Sequence, residues 1–313
     1  MTDISLPKTF EEALRFTQAS LLRSSFIREN NLVETESEQL VIGAYRRYSG
    51  RNRTFSRNDL YVRVLDVFPK EASKILIDYC DKRVSGIPLQ YILGYQTFLN
   101  HEYDVEPGVL IPRPETEVLV YEVTQFFKRQ IQQPEIGIEI GLGSGCISIE
   151  LLKIFLGLKM VSSEFSKTAL EIAEKNAKKI LGNLDRLKII AAQESNMIFE
   201  PFETNFHSRA DFIVSNPPYL THQDEVSEEV RLNEPNEALF APKDDPLYFY
   251  KKIIGDAPHF LKLKGSIFFE IPHERSDQIL NLFNPKDWSA RELLDLTGRP
   301  RVIHAEWLMG HWS

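Results

Sequence analysis

The stretch "IGIEIGLGSGCISIELLKIFL", residues 136–156, decides the fold. Residues 136–140 form a short apolar run with β-branched side chains, bounded by Pro134 before it and glycine after it, which reads as a buried strand. Gly141, Gly143 and Gly145 then permit a tight turn and let a ligand approach the backbone closely. The residues after them carry apolar side chains and few breakers, as a helix does. Strand, glycine turn and helix in that order open a βαβ unit. The turn by itself suits a dinucleotide, a flavin or a phosphate, or it merely shapes a helix start. Its spacing departs from the dinucleotide fingerprint, because the third glycine comes two residues after the second and not three. No Gly-Lys-Ser/Thr follows, so it is not a P-loop.

Downstream the chain keeps alternating. "KMVSSE" (159–164) leads into the helical "SKTALEIAEKNAKKIL" (166–181), followed by the strand-like "LKIIAA" (187–192) and "DFIVS" (211–215). A helix is expected near 247–260, a strand at "SIFFEI" (266–271), a helix at "RSDQILNLF" (275–283), and two strands near 290–296 and 302–307. Such alternation predicts an α/β fold, a parallel sheet wrapped by helices on both faces. Upstream, residues 1–85 read as a small helical domain. Phe10, Ala13, Leu14, Leu21 and Leu22 recur at roughly helical spacing, Gly50 is a helix stop, and Ser56 is a candidate cap. Residues 86–113 have hairpin and linker chemistry, with Gly94, Pro107-Gly108 and Pro112 between short apolar runs. A helix is expected to begin at Pro114, with Glu115 and Glu117 suited to its N-terminal dipole, and residues 114–313 form the catalytic domain.

The length of 313 residues suits one large or two ordinary domains. No apolar run is long enough to cross a bilayer, and the N-terminus lacks a signal core, so a cytoplasmic protein is expected. Cys80 and Cys146 lie far apart and fit a reducing compartment, and no metal-ligand spacing occurs. A net charge of −8 argues against a large nucleic-acid-binding surface. The local basic cluster Arg46, Arg47, Arg51 and Arg53 is either a solvated helix end or a contact for an acidic partner.

Three acids stand beside the predicted strand ends. Glu139, two residues before the first glycine, would repel a pyrophosphate and attract an ammonium group, which favours S-adenosylmethionine. Glu164 ends the next strand, where a carboxylate accepts from ribose hydroxyls, and Glu194 is positioned to reach an adenine amino group. Each alone is equally a solvated strand-end loop, but three in succession beside a glycine turn are less easily accidental. "SNPPYL" (215–220) raises a further question. Two prolines end a strand because neither donates a backbone N–H. A stiff loop explains the prolines; it does not explain Asn216 or Tyr219. The alternative is a site whose rigid carbonyl oxygens point at a substrate nitrogen.

With these motifs quoted, the chain resembles the protein-(glutamine-N5) methyltransferases of the HemK type, which act on peptide chain release factors. The resemblance rests on "YILG" (91–94), "LIPRPETE" (110–117), "EIGLGSG" (139–145), "VSNPPY" (214–219) and "NEPNEAL" (233–239), in matching order over most of the chain. It implies a seven-stranded S-adenosylmethionine-dependent methyltransferase sheet with the last strand inserted antiparallel, and an N-terminal helical domain that helps hold the protein substrate. It also implies methylation of a glutamine side chain, the glutamine of the GGQ motif, in translation termination. The family commonly has Asp where this chain has Glu139, Glu164 and Glu194, and "FEIPHE" (269–274) replaces a glycine-containing stretch. "NPPY" occurs also in enzymes that methylate exocyclic amines of nucleic acids, and a sister enzyme modifies a ribosomal protein. A non-enzymatic adaptor built on the same fold is a further alternative.

On this reading the catalytic residues are Asn216, Pro217 and Tyr219, and Pro218 joins them in binding substrate. A glutamine amide nitrogen is a poor nucleophile, so the enzyme must supply placement, which contributes up to roughly 7–11 kcal/mol in well-oriented cases. The Asn216 side-chain oxygen and the Pro217 carbonyl would each accept one substrate N–H, Pro218 would stiffen the loop, and Tyr219 would pack on the planar amide. Cofactor binding is assigned to Glu139, Gly141, Gly143, Gly145, Glu164, Glu194 and Asn216. Glu234 and Pro235 are expected near the mouth of the site, Arg113 between linker and catalytic domain, and Phe98 in a pocket wall or the core.

Overall fold

The computed structural model describes residues 6–50, 54–192 and 209–309. Arg51, Arg53 and Glu194 lie outside the described residues. The chain divides into two compact units: residues up to Gly94 with Ser227–Asn233, and Tyr95–Val226 with the residues from Glu234 onward.

The first unit is helical, as the apolar spacing predicts, and its helices include Phe10–Leu21, Val33–Tyr48, Arg57–Val62 and Lys70–Val84. Ser56 caps the third of these in a reciprocal capping box with Asp59. Phe10, Leu21, Leu40, Leu60 and Leu76 meet in one core. The unit runs past residue 85 because the short helix Leu89–Leu93 buries Leu89 and Ile92 in that same core and stops at Gly94, in the left-handed region with φ +79°. Helix Glu228–Asn233 belongs here as well. Arg83, almost fully buried, takes both oxygens of Glu36 at 2.7 and 2.9 Å and also pairs with Glu229. The Asn233 side chain donates to the Gly86 carbonyl at 3.1 Å. A contact more than 140 residues apart in sequence leaves no local pattern to read.

The second unit begins with a hairpin of β1 (Tyr95–Phe98) and β2 (His101–Asp104). Its sheet contains β3 (Ile136–Ile140), β4 (Lys159–Glu164), β5 (Leu187–Ala191), β6 (Ala210–Ser215), β7 (Leu261–Glu270), β8 (Trp288–Leu294) and β9 (Pro300–Trp307). The seven strands are ordered β5-β4-β3-β6-β7-β9-β8. β9 runs antiparallel to both β7 and β8, and the other pairings are parallel. This is the arrangement the resemblance implies, with the last strand inserted antiparallel.

Both sheet faces are buried. Ile213, Ile267 and Phe269 pack toward helix Tyr248–Asp256, while Phe212, Val214 and Phe268 pack with helices Pro114–Lys128 and Cys146–Ile154. Period-2 alternation with apolar residues on both sides is what a doubly covered parallel sheet requires. Each such side chain contributes about 1.5–3 kcal/mol by leaving water. The strand order reverses at β3, whose neighbours are β4 on one side and β6 on the other. Ligands of open α/β sheets bind outside the carboxyl ends of the strands at such a switch point. The glycine turn follows β3 and "NPPY" follows β6, so both sit there.

Candidate active site

A cleft lies at those strand ends, where open α/β sheets hold their ligands. Gly141, Gly143, Glu164, Asn216, Pro217 and Pro218 line it. Gly141 and Gly143 have φ of +79° and +56°, and a Cβ on either would project into open space. A side chain there would take room from a ligand. Gly145 serves differently: its Cβ would press on Ile149 at 3.0 Å and Ala173 at 3.4 Å, so its absence lets two helices pack. The Gly141 and Leu142 N–H groups both donate to the Ser163 carbonyl at 3.0 Å, which ties the turn to the end of β4.

Glu164 is the last residue of β4 and is buried at the cleft wall. One oxygen accepts from the Gly143 N–H at 2.8 Å, and the other from Phe165 and Ser166 at 2.8 and 2.9 Å. Burial pushes its pKa up, and the three N–H donors oppose that shift.

Glu139 is placed differently from a cleft-wall acid. It is inside β3, one residue short of its end, and fully buried. Alternation turns it away from the face that holds Ile138 and Ile140. Its Oε2 accepts from the Ser148 N–H at 3.1 Å and from the Ser148 hydroxyl, which also contacts the Ser162 hydroxyl at 2.8 Å. Its Oε1 has no hydrogen-bond partner among the described residues, and burial raises the carboxyl pKa to about 8. Glu139 does not line the cleft.

Asn216 is the first residue after β6, and its Nδ2 donates to the Thr116 hydroxyl oxygen at 3.3 Å. The Ser215 hydroxyl donates to the Ile140 carbonyl at 2.7 Å and so joins the ends of β6 and β3. Tyr219 does not line this cleft; it borders a second opening with Leu220, Asp224, Arg275 and Arg301. Burial pushes its phenol up to about 12. The "NPPY" segment is therefore a partition, with Asn216, Pro217 and Pro218 on one side and Tyr219 on the other. Leu220 is held by backbone hydrogen bonds with Leu239 and Ala241.

Buried Glu234 clamps the segment before helix Pro114–Lys128. Its oxygens take the Ile111 N–H at 3.2 Å and the Arg113 guanidinium at 2.5 Å. Pro235 and Glu237 line the cleft next to it. Phe98 lies in the core, edge-on to Tyr103. Sequence reasoning assigned no role to Thr116, Glu270 or the apolar cleft residues Leu110, Phe165 and Phe249. Thr116 and Leu110 stood inside the quoted "LIPRPETE" and Glu270 inside "FEIPHE"; Phe165 and Phe249 have no signal short of the fold.

Among the described residues the lining is mainly apolar, carries the carboxylates of Glu164 and Glu237, and has no Lys or Arg. Such a lining repels a pyrophosphate and accepts a cation with apolar parts and hydroxyls. The residues present therefore fit S-adenosylmethionine.

A family model described as RNA methyltransferase matches residues 51–246. A curated relative from Bacillus subtilis, a release factor glutamine methyltransferase, is 30% identical, covering 95% of this chain and 98% of its own length. Another of that name from Bacillus cereus is 28% identical over 94% of this chain and 99% of its own length. A solved protein-(glutamine-N5) methyltransferase (release factor-specific) from Alicyclobacillus acidocaldarius is 25% identical, covers 66% of this chain and 100% of its own, and superposes with a TM-score of 0.38. With a relative 30% identical along nearly its whole length, the chain belongs to the family of release factor glutamine methyltransferases.

Proposed function

We propose that this protein methylates the side-chain amide nitrogen of a glutamine in a peptide chain release factor, with S-adenosylmethionine as methyl donor. The carrying observation is Asn216 at the cleft wall, its amide nitrogen engaged by Thr116, which leaves Oδ1 as the free acceptor of that side chain. The cofactor supplies a methyl group already activated on a sulfonium. The protein's residues supply placement. Asn216 Oδ1 and the Pro217 carbonyl each accept one N–H of the substrate amide and turn the nitrogen lone pair toward the cleft. Positive charge developing on nitrogen meets oxygens already in place. The nitrogen sheds one proton only after the new N–C bond forms, so no base with a matched pKa is needed beforehand. Glu164, with both oxygens held by backbone N–H groups, is oriented to accept hydroxyls of the cofactor. Glu139 acts from behind, bracing the helix after the glycine turn through Ser148. Tyr219 packs from the far side of the partition. The helical unit contributes to holding the release factor, and the reaction belongs in the cytoplasm.

A second reading, transfer to an exocyclic amine of RNA, has the description of the matching family model in its favour. The net charge of −8 and the lack of Lys or Arg among the described residues of the cleft stand against it. Incubation with a release factor, a ribosomal protein and RNA, followed by mass measurement and mapping of the modified residue, separates the readings. A mass gain of one methyl on a release-factor glutamine is expected; a gain on RNA alone would replace the proposal with the second reading.

A further inference from the structure

We propose that Asn176 is a positioning residue for the cofactor: its buried side-chain amide clasps the glycine turn to the segment 104–110, so that two walls of the cleft are set before a ligand arrives. The inference rests on the reading that this cleft holds S-adenosylmethionine.

Asn176 lies in helix Lys167–Leu181, on the face that buries Ala169, Ile172, Ala173 and Ala177, and it is itself fully buried. Asparagine is a poor choice for a helix interior, and burial of its amide costs free energy unless partners are found. Each of its side-chain hydrogen bonds reaches outside its own helix. Nδ2 donates to the Ser144 carbonyl at 2.9 Å and to the Asp104 carbonyl at 3.1 Å, and Oδ1 accepts from the Asp104 N–H at 2.7 Å. Both amide hydrogens are used. The amide fits one way round only, because a 180° turn would set its oxygen against two carbonyls and its NH₂ against an N–H.

The two segments held in this way both reach the cleft. Ser144 stands between Gly143, which lines the cleft, and Gly145, which opens the next helix. β4 ties the turn through the Ser163 carbonyl and the Glu164 carboxylate, and Asn176 ties it to a second element. Asp104 ends β2, and the chain runs on from it to Gly108 and Leu110, which line the cleft as well. The same helix seats that segment further along. Val109 packs with Ala169 and Ile172, and a Cβ on Gly108 would meet Thr168 at 3.4 Å. Lys175 and Lys179, on either side of Asn176 in the sequence, hold the Asp104 carboxylate at 2.9 and 2.5 Å. With the clasp intact the turn is ordered in advance. Without it, the turn must be ordered on binding, which weakens affinity and leaves the chemistry of the bound methyl group little changed.

The test is calorimetric titration of S-adenosylmethionine into the full chain. Asn176→Ala should weaken affinity about tenfold, the change that loss of one hydrogen bond makes. Asn176→Asp keeps an acceptor for the Asp104 N–H but loses both donated bonds, so it should bind no better than Asn176→Ala. At saturating cofactor and release factor, the single-turnover rate of Asn176→Ala should stay close to parental. Ile303→Ala, a deletion in the core of β9 away from the cleft lining, is the control for lost stability: its urea midpoint should fall while its affinity stays parental. Parental affinity in Asn176→Ala, or an equal loss of affinity in Ile303→Ala, would overturn the clasp. If Asn176→Ala does not fold, Asn176→Asp is read against the same outcomes. If neither folds, the Asn176 side-chain amide resonances of the parent should shift as S-adenosylmethionine is added, and unmoved resonances would overturn the clasp. A parent chain that binds no S-adenosylmethionine would sink the functional reading instead. In that case amide hydrogen exchange in the unliganded chain decides: exchange at Gly143 and Gly145 should quicken in Asn176→Ala and not in Ile303→Ala, and unchanged exchange in Asn176→Ala would overturn the clasp on its own.

Discussion

Asn216 and Glu164 stand at the same cleft with different tasks, and substitutions should separate them. Asn216→Ala removes one of two oriented acceptors without adding bulk. Turnover should fall by about 10²–10³-fold, by analogy with loss of one preorganised hydrogen-bonding group. Cofactor affinity measured by calorimetry should stay near parental, and a near-parental single-turnover rate would rule out the acceptor role. Glu164→Ala should instead weaken cofactor binding, because it removes a cleft carboxylate and also frees the Gly143 N–H that holds the turn. Glu139 concerns stability. Its folded pKa of about 8 lies above the ordinary 4.5, so the folded state holds the proton more tightly. The contribution is fully present below about 4.5 and is lost as pH rises toward about 8. Glu139→Gln has no such proton to lose. Its urea midpoint should overtake the parent's as pH goes from 6 to 9, and parallel profiles would refute the buried-acid account. The three acids read alike in the sequence, yet Glu139, level with Ser162, lies inside the sheet under a helix, while Glu164, two residues further along on the same face, ends its strand at the cleft.

At the scale of elements, the glycine turn shows how one motif divides its labour. Gly143→Ala forces a side chain into the left-handed region at φ +56° and pushes a methyl into the cleft. Cofactor affinity should drop while the fold persists, and unchanged calorimetric affinity would mean that the turn does not touch the cofactor. The β3-turn-helix unit was legible because its period, its glycines and its helix all lie within one short stretch. β7 is longer than the reading of 266–271 suggested, running from Leu261 to Glu270, and its early residues join β6 only across a shift in register between Ala210 and Phe212. The short helices Leu89–Leu93 and Glu228–Asn233 were not legible either. A helix of one or two turns carries too little periodicity and is held by tertiary contact.

Across the whole molecule, the two units carry separable duties. All the described residues lining the cleft belong to the second unit, so removal of the N-terminal helices should leave cofactor binding largely intact and impair methylation of an intact release factor. Within the first unit, Arg83→Ala would remove the cation that engages both oxygens of buried Glu36. That should destabilise by about 3–5 kcal/mol in denaturant unfolding, the usual effect of breaking a buried ion pair; a change below 1 kcal/mol would show that the triad is not a structural anchor. The sequence by itself determined the alternating α/β sheet, the helical N-terminal segment, the glycine turn and the "NPPY" strand end, because periodicity, glycine placement and proline chemistry are local and survive without the fold. Only the tertiary structure decided that Glu234 clamps the segment before the catalytic helix, that Glu139 is sealed beneath Ser148, and that Asn216 meets Thr116. Those pairings join residues from about 10 to more than 120 positions apart, and side-chain facing is set by which strands become neighbours, a choice that packing makes and spacing does not.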